Sequence, residues 1–416
     1  MSKIKAVDFA NYVDEQKKKL VQHCLDHGLE ASNSDSLSSV VNKELELVNE
    51  NEVGNFKVEF YNIDASQYAP PQFVASGESV TLPSTNPSYD SDYLEFVEWR
   101  ADGNMNNVTQ DLICLPFYRT KYDSEIQERP TYLVCYFDST HLSPTIHYYY
   151  ANQNVYVDWG DGSEEEQVTS SFSHTYAQEG KYVIRIRGTS YMIGGNNQGG
   201  IFTTYDYANN CLLAVYMGEN AEITVGYTFY QGRKLEVVTL LDNITTLSTR
   251  CFDQCAALKT LIIPPQTTGI GSNAFNKLDC LKYMIPPKVQ CAWNYSNTLA
   301  TSLLDRIDLS MYTLGHSSSS SYDEFVIPWG VKKIVYPQAE RLKLFGQSNF
   351  APDEIDLTNV SSFQMNSGFP AGRYKIKFGE NTQGTLNTYS SASTTIYIEN
   401  FCLPAGVVAP TSGGQI

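Results

Sequence analysis

Apolar and polar positions along this chain follow three successive patterns. Over residues 5–28, Phe9, Tyr12, Val13, Leu20, Val21, Cys24 and Leu25 recur at intervals of three, four and their multiples, and Gly28 supplies a stop. That spacing predicts an amphipathic helix. A second, shorter helix is predicted where Asp35 or Ser36 caps a stripe of Leu37, Val40, Val41, Leu45 and Val48. From residue 55 to about 188 the period falls to two. Phe56, Val58 and Phe60 alternate with polar neighbours, and so do the segments 93–99, 111–118 and 132–137, between connections rich in Pro, Gly and Asn. Short strands in one or two β-sandwich-like domains are predicted there, with a boundary at 138–144.

The third texture is a repeat. Leu212, Leu235, Leu258, Leu281 and Leu304 follow one another at 23 residues; Val215, Val238, Leu261, Met284 and Ile307 keep the same step, as do Phe229, Phe252 and Phe275. Columns in phase over successive units predict a solenoid, whose units bury their apolar faces only by stacking. Later units keep only a strand, at Ile307 and Leu309, Ile334 and Tyr336, Ile355 and Leu357, Ile376 and Phe378, and Ile396 and Ile398, spaced by 27, 21, 21 and 20 residues. In each such strand the outer two residues are expected in the core and the middle one on the open face. Tyr216, Thr239, Ile262, Asp308, Val335, Asp356, Lys377 and Tyr397 are therefore the candidate binding surface. About nine strands at roughly 4.8 Å give a shallow sheet of about 40 Å, suited to a protein or glycan. Two readings of Ile262 and Val335 stay open, an apolar contact or cover by a flanking loop such as 315–322. It is also open whether Met284 or its neighbours Tyr283 and Ile285 face inward, because that unit is one residue shorter before its prolines.

Two stretches resemble known families. Residues 155–187 read VYVDWGDGSEEEQVTSSFSHTYAQEGKYVIRIR, with Trp159, Gly160, Asp161, Gly162, His174, Tyr176 and Gly180 where the polycystic-kidney-disease-type (PKD-like) sandwich domain carries its Trp–Gly–Asp–Gly turn, His-x-Tyr and final glycine. The resemblance implies an immunoglobulin-like spacer or adhesion module without a catalytic site. CFDQCAALKTLIIPPQ (251–266) and AFNKLDCLKYMIPPK (274–288) resemble the BspA-type, or Treponema-type, leucine-rich repeat, with Leu247 and Ile270 in its return segment. The fold class expected is mainly β: N-terminal helices, an immunoglobulin/PKD-like β-sandwich region and a C-terminal leucine-rich-repeat solenoid. The divisions expected are a helical anchor over 1–50, a β-rich domain over 51–140, the PKD-like segment over 141–190, a Gly/Asn linker over 191–200, the solenoid over 201–401 and an irregular tail over 402–416.

Composition narrows the function. The chain has 416 residues, 42% hydrophobic and only 18% charged, with 29 tyrosines and a net charge of −17. No cluster of Lys and Arg exists beyond 17–19, so a phosphate backbone is not the expected partner. No apolar run approaches the roughly 18 residues of a membrane span, and residues 1–10 do not begin a secretory signal. Nine cysteines without a CxxC disfavour a zinc site and a disulfide framework, and are read as mostly reduced core residues. Asp158, Asp161 and 164–166 lack calcium-loop spacing and read as a solvated turn. His174 has no nucleophile at a recognisable spacing and reads as a structural residue donating to that turn. No catalytic residue, metal ligand or cofactor is expected.

This arrangement predicts a non-enzymatic bacteriophage structural protein of the virion, of tail-fibre, baseplate or head-fibre kind. Residues 1–50 would anchor it to other virion proteins, a homo-oligomer is expected, and the repeat face would bind a host surface glycan or protein. The unremarkable N-terminus favours release by lysis over export. The alternatives are a bacterial cell-surface BspA-like adhesin and a polysaccharide-degrading appendage enzyme, which would need paired carboxylates in a groove.

Overall fold

A computed structural model describes residues 17, 18 and 21, most of 55–314, and the segments 323–326, 331–336, 342–345, 354–365, 372–378, 383–385, 396–398 and 407–408. The described chain is mainly β, and its helical residues are Lys17, Lys18, Val21 and the 3-10 turn Ala208–Cys211. The helices expected over 5–28 and 35–48 otherwise lie outside the described residues.

The chain divides into two compact units, one formed by 1–59, 69–82 and 103–112, the other by 60–68, 83–102 and 113–416. In the smaller unit Val58, Val74, Val108 and Leu112 are buried. Its loops are tied by backbone bonds from Gly77 to Val108 and from Val80 to Met105, both 2.8 Å, and the amide of Lys57 donates to Asp111 Oδ1 at 2.9 Å.

The larger unit is built on a six-stranded sheet in the order Val237–Thr239, Leu212–Tyr216, Thr131–Phe137, Gly180–Gly188, Val155–Asp158, Glu166–Val168. Its central strands are apolar on both faces, which is the pattern of a sheet buried on both sides. On one face Leu133, Cys135, Phe137, Ile184, Ile186, Val215 and Met217 enter the main core. On the other, Val134, Ala214, Tyr216 and Val237 pack with Ile63, Leu94 and Tyr118 in a second core. The division expected at residue 140 runs through this sheet, because Thr131–Phe137 pairs antiparallel with Gly180–Gly188 along its whole length. Leu212–Tyr216, the first repeat strand, pairs antiparallel with Thr131–Phe137 and parallel with Val237–Thr239, so the solenoid grows directly out of the preceding domain. The expected linker also begins as structure, since Tyr191–Ile193 is a strand pairing with Tyr148–Tyr149 and Ala221–Glu222.

The turn after Val155–Asp158 packs against the segment 172–176. Asp158 Oδ1 accepts the Gly160 amide at 2.9 Å, Asp161 Oδ1 accepts that of Ser163 at 3.0 Å, and His174 Nε2 lies 2.7 Å from Asp161 Oδ2. The His174 ring stacks on Trp159 at 4.8 Å, and the Tyr176 hydroxyl donates to the Trp159 carbonyl at 3.0 Å. Gly160 has φ +73°, and a Cβ there would stand 2.3 Å from the Val183 carbonyl oxygen, so only glycine fits.

Beyond the first rungs the solenoid carries two parallel ladders. One consists of Thr260–Ile262 with Tyr283–Ile285, then Arg306–Asp308, Lys333–Val335, Glu354–Leu357, Gly372–Phe378 and Ile396–Ile398. The other, the return side, runs through Thr246–Leu247, Gly269–Ile270, Cys291–Trp293 and Tyr312–Leu314, and again through Asp323–Val326, Leu342–Phe345, Ser362–Met365, Gln383–Thr385 and Val407–Val408. The later units therefore keep both strands, and the tail expected to be irregular contributes one of them. An aromatic spine runs between the ladders: Phe229, Phe252 and Phe275 stack at 5.1 and 6.4 Å, and Trp293 and Tyr312 continue it at 5.3 and 5.0 Å.

The turns of the regular units hold non-glycine residues at positive φ in two columns, Tyr227, Arg250 and Asn273, and Gln231, Gln254 and Lys277. Stacking supports this costly conformation: Tyr227 N donates to Thr249 O and Arg250 N to Ser272 O at 2.8 Å, while Gln231 N donates to Asp253 O and Gln254 N to Asn276 O at 2.9 Å. Among the described cysteines, Cys114, Cys135, Cys251, Cys255 and Cys291 are buried, whereas Cys280 is exposed. Burial pushes the thiols of Cys251 and Cys291 up to about 12, which makes them poor nucleophiles.

Candidate binding surface

The alternation expected for the repeat strands is present. Leu261 and Ile263, Ile307 and Leu309, Ile334 and Tyr336, and Ile355 and Leu357 are buried, while Ile262, Asp308, Val335 and Asp356 between them are half-buried and Lys377 is exposed. At the shorter unit Met284 packs on the main core, and Tyr283 and Ile285 point to the other face. Tyr283–Ile285 pairs with Thr260–Ile262 in the same 23-residue register, so Ile285 takes the outward place of Ile262, and the residue missing before Pro286 is the second inward one, which Ile263 supplies in the unit before.

What lies on the outer face divides the candidates. Tyr216 and Thr239 are core residues, 1% and 5% exposed, and do not belong to an open surface. Tyr216 is covered by Ile63, Leu94 and Tyr118, and its hydroxyl donates to Asp90 Oδ2 at 2.5 Å. Burial is the first cause that raises its pKa, followed by the Asp90 carboxylate. Ile262 packs with Leu115, Tyr283 and Ile285, together with Tyr61 and Ile113. Its apolar contact is thus with the earlier chain.

Polar contacts fasten the same cover. Thr260 Oγ1 donates to the Ile63 carbonyl at 2.5 Å. Arg100 is bidentate to Asp242 at 2.7 and 2.8 Å, with its guanidinium 3.4 Å above the Phe117 ring. Arg306 forms an ion pair with Asp102, whose other oxygen accepts the Ile113 amide at 2.8 Å. Burial raises the Asp102 carboxyl, and the Arg306 charge opposes that rise.

Past this point Asp308, Val335, Asp356 and Lys377 stand in register across adjacent strands, flanked by a column of Arg306, Lys333, Glu354 and Lys375. Lys333 Nζ is 3.2 Å from Glu354, and Lys377 Nζ is 3.3 Å from Asp356 Oδ2. Asp356 Oδ1 accepts the amide and hydroxyl of Thr358 at 2.9 and 2.5 Å, and Asp308 Oδ1 accepts the Ser310 amide at 2.8 Å. Burial works against ionisation of Asp356, but the Thr358 bonds and the Lys377 charge outweigh it and hold the carboxyl below its ordinary range. That is the reverse of what a general acid needs. A fixed carboxylate beside an exposed ammonium instead presents an acceptor and donors to hydroxyl, amide or charged groups of a partner. Tyr397 stands in Ile396–Ile398, where it pairs with Arg373 and not with Lys377, so it is out of line with the column; its side chain lies outside the described residues.

Among the described residues no group of three or more His, Cys, Asp or Glu is placed to hold a metal ion, and no helix is long and apolar enough to cross a membrane.

These parallel ladders with one buried and one outward face define a β-solenoid. Residues 204–335 match the BspA type leucine-rich repeat region, in six copies. A leucine-rich repeat protein from Bacteroides ovatus, known from a crystal structure, is similar at 12% identity over 63% of this chain and 90% of that chain, with a TM-score of 0.26. None of the curated proteins compared with this chain matches it.

Proposed function

We propose that this protein is a non-enzymatic recognition protein that binds its partner through the uncovered part of the repeat face, centred on Val335, Asp356 and Lys377. The observation that carries the reading is the change along one ladder from an outer face sealed by Ile63, Tyr61 and Asp102 to one carrying fixed, partly exposed charges. A covered apolar start and an uncovered polar continuation suit a rigid base that displays a surface. The partner proposed is a host surface glycan or protein, with residues 1–50 attaching the chain to neighbouring proteins and to further copies of itself. The packed turn at Trp159, in a PKD-like sandwich, serves as the spacer.

The placement proposed is a bacteriophage particle, as a tail-fibre, baseplate or head-fibre component. The BspA type match supports a second placement, a bacterial cell-surface adhesin with the same binding face. Immunogold labelling of intact particles and of intact cells separates the two, and labelling of cells alone removes the virion reading. Binding through the repeat face is tested on host cells with Lys377→Glu and Val335→Asp. Loss of binding with an unchanged melting temperature supports it; undiminished binding by both variants overturns it.

A further inference from the structure

The structure also holds a cavity of about 300 Å³ that uses none of the repeat-face residues. It is lined in part by Tyr136, Asp138, Thr140, His141, Asn210 and Lys234, which the sheet brings together from the end of Thr131–Phe137, the loop after it, the turn Ala208–Cys211 and the second repeat. From the chemistry of this lining we infer that the cavity is a binding subsite for a single neutral sugar residue.

The loop is fixed before any ligand arrives. Asp138 Oδ1 accepts the amide of Thr140 at 2.9 Å and its hydroxyl at 2.7 Å, and lies 2.6 Å from His141 Nδ1. The backbone of the loop is held to the neighbouring segment by Tyr176 N to Leu142 O at 2.8 Å and His174 N to Pro144 O at 3.2 Å. Bonds from Thr140 and then His141 bring the Asp138 carboxyl down to about 2, so it is an ionised acceptor at any pH near neutrality.

Size and polarity select the ligand. The volume sits at the lower end of small-molecule sites and is enough for one sugar ring. One carboxylate and one ammonium balance in charge, whereas a phosphate ligand would call for several cations. An apolar ligand would strip water from Asp138 and Lys234 without replacing their hydrogen bonds. A sugar supplies both parts: hydroxyls for the carboxylate, the Thr140 hydroxyl and the Asn210 amide, and a C–H face for the ring of Tyr136, which is 41% exposed.

Ligand-observed saturation-transfer NMR on the full chain tests this with glucose, galactose, mannose and N-acetylglucosamine, and with inorganic phosphate and glycine as comparisons. At least one sugar is expected to bind with a Kd of roughly millimolar order, as a small polar ligand with few heavy atoms allows. The same titration is expected to shift the His141 ring resonances, and Tyr136→Ala to weaken binding about tenfold. If Tyr136→Ala fails to fold, Lys234→Ala takes its place with the same expectation. Absence of binding by all four sugars, preferential binding of phosphate or glycine, or sugar binding that leaves His141 and the variants unaffected overturns the assignment. Lys377→Glu, which disables the repeat face, is expected to leave sugar binding at this cavity unchanged, so the two proposals fail separately.

Discussion

Tyr61 lies stacked on Tyr283, with ring centroids 4.0 Å apart and planes inclined at 24°. The pair joins a strand that precedes the solenoid to an outward residue of a repeat, and so marks where the repeat face stops being a surface. Offset aromatic pairs contribute about 0.5–1.5 kcal/mol beyond the area they bury. A double-mutant cycle of Tyr61→Ala and Tyr283→Ala, read by urea unfolding, is expected to give a coupling in that range. Additive effects would mean that the two rings pack independently.

The Arg306–Asp102 pair makes the same junction with charges, at side chains 15% and 8% exposed. Asp102→Ala removes the carboxylate against which Arg306 is buried, and is expected to cost about 3–5 kcal/mol. Asp102→Leu combined with Arg306→Met is expected to recover most of that loss, since an apolar pair of similar volume suits a buried site. Recovery of melting temperature in the double variant is the measurement. A double variant as unstable as the single would show that the pair matters for geometry rather than for charge balance.

Backbone conformation in the repeats offers a cleaner test, because Lys277 is exposed and holds φ +56°. A left-handed residue with a Cβ costs about 1–2 kcal/mol, and a β-branched one more. Lys277→Gly is expected to leave stability unchanged or raise it by up to about 1 kcal/mol, once the entropy of glycine in the unfolded chain is set against the relief. Lys277→Val is expected to lower it by about 1–2 kcal/mol.

Much of the solenoid was legible because identical residue types recur where the physics is identical. Leu212, Leu235 and Leu258 show the period directly, and Phe229, Phe252 and Phe275 show the spine. The spine's continuation was hidden, since Trp293 and Tyr312 come from the return strands and not from the phenylalanine position. Alternation also assigns a side chain to a face without saying what lies on it. Tyr216 and Lys377 hold equivalent middle positions, yet one is sealed under Ile63 and Leu94 while the other is exposed. The cover is made by contacts such as Thr260 to Ile63, 197 residues apart, which leave no periodic trace. The cavity at Asp138 was invisible for a similar reason, because its lining is drawn from four separate stretches.

Gly160 and Gly162 separate steric need from conformational preference within one turn. Both have positive φ, at +73° and +86°, but a Cβ on Gly160 meets the Val183 carbonyl at 2.3 Å while one on Gly162 meets nothing within 4 Å. Gly162→Ala is expected to cost about 1 kcal/mol from backbone strain alone. Gly160→Ala adds a backbone clash that no side chain can relieve, and is expected to cost more than about 3 kcal/mol or to prevent folding. Thermal unfolding of the two variants side by side measures the difference.

Asp161 ties this turn to pH. Burial raises its carboxyl, but the bonds from Ser163 and the contact with His174 more than offset that and bring it down to about 2, from an ordinary value of 3.8. A carboxyl depressed in the folded state contributes stability that is present above the unfolded value and is lost as pH falls through the folded one. The window is therefore from about 4 down to 2. Asp161→Asn keeps the shape and removes the titration, so it is expected to lower the urea midpoint at pH 6 and to flatten the decline between pH 4 and 2. Asp138, also held down to about 2, titrates in the same window in both proteins, so the difference between them isolates Asp161. Parallel midpoint curves for the two proteins would show that the His174–Asp161 contact positions the turn without stabilising the charge.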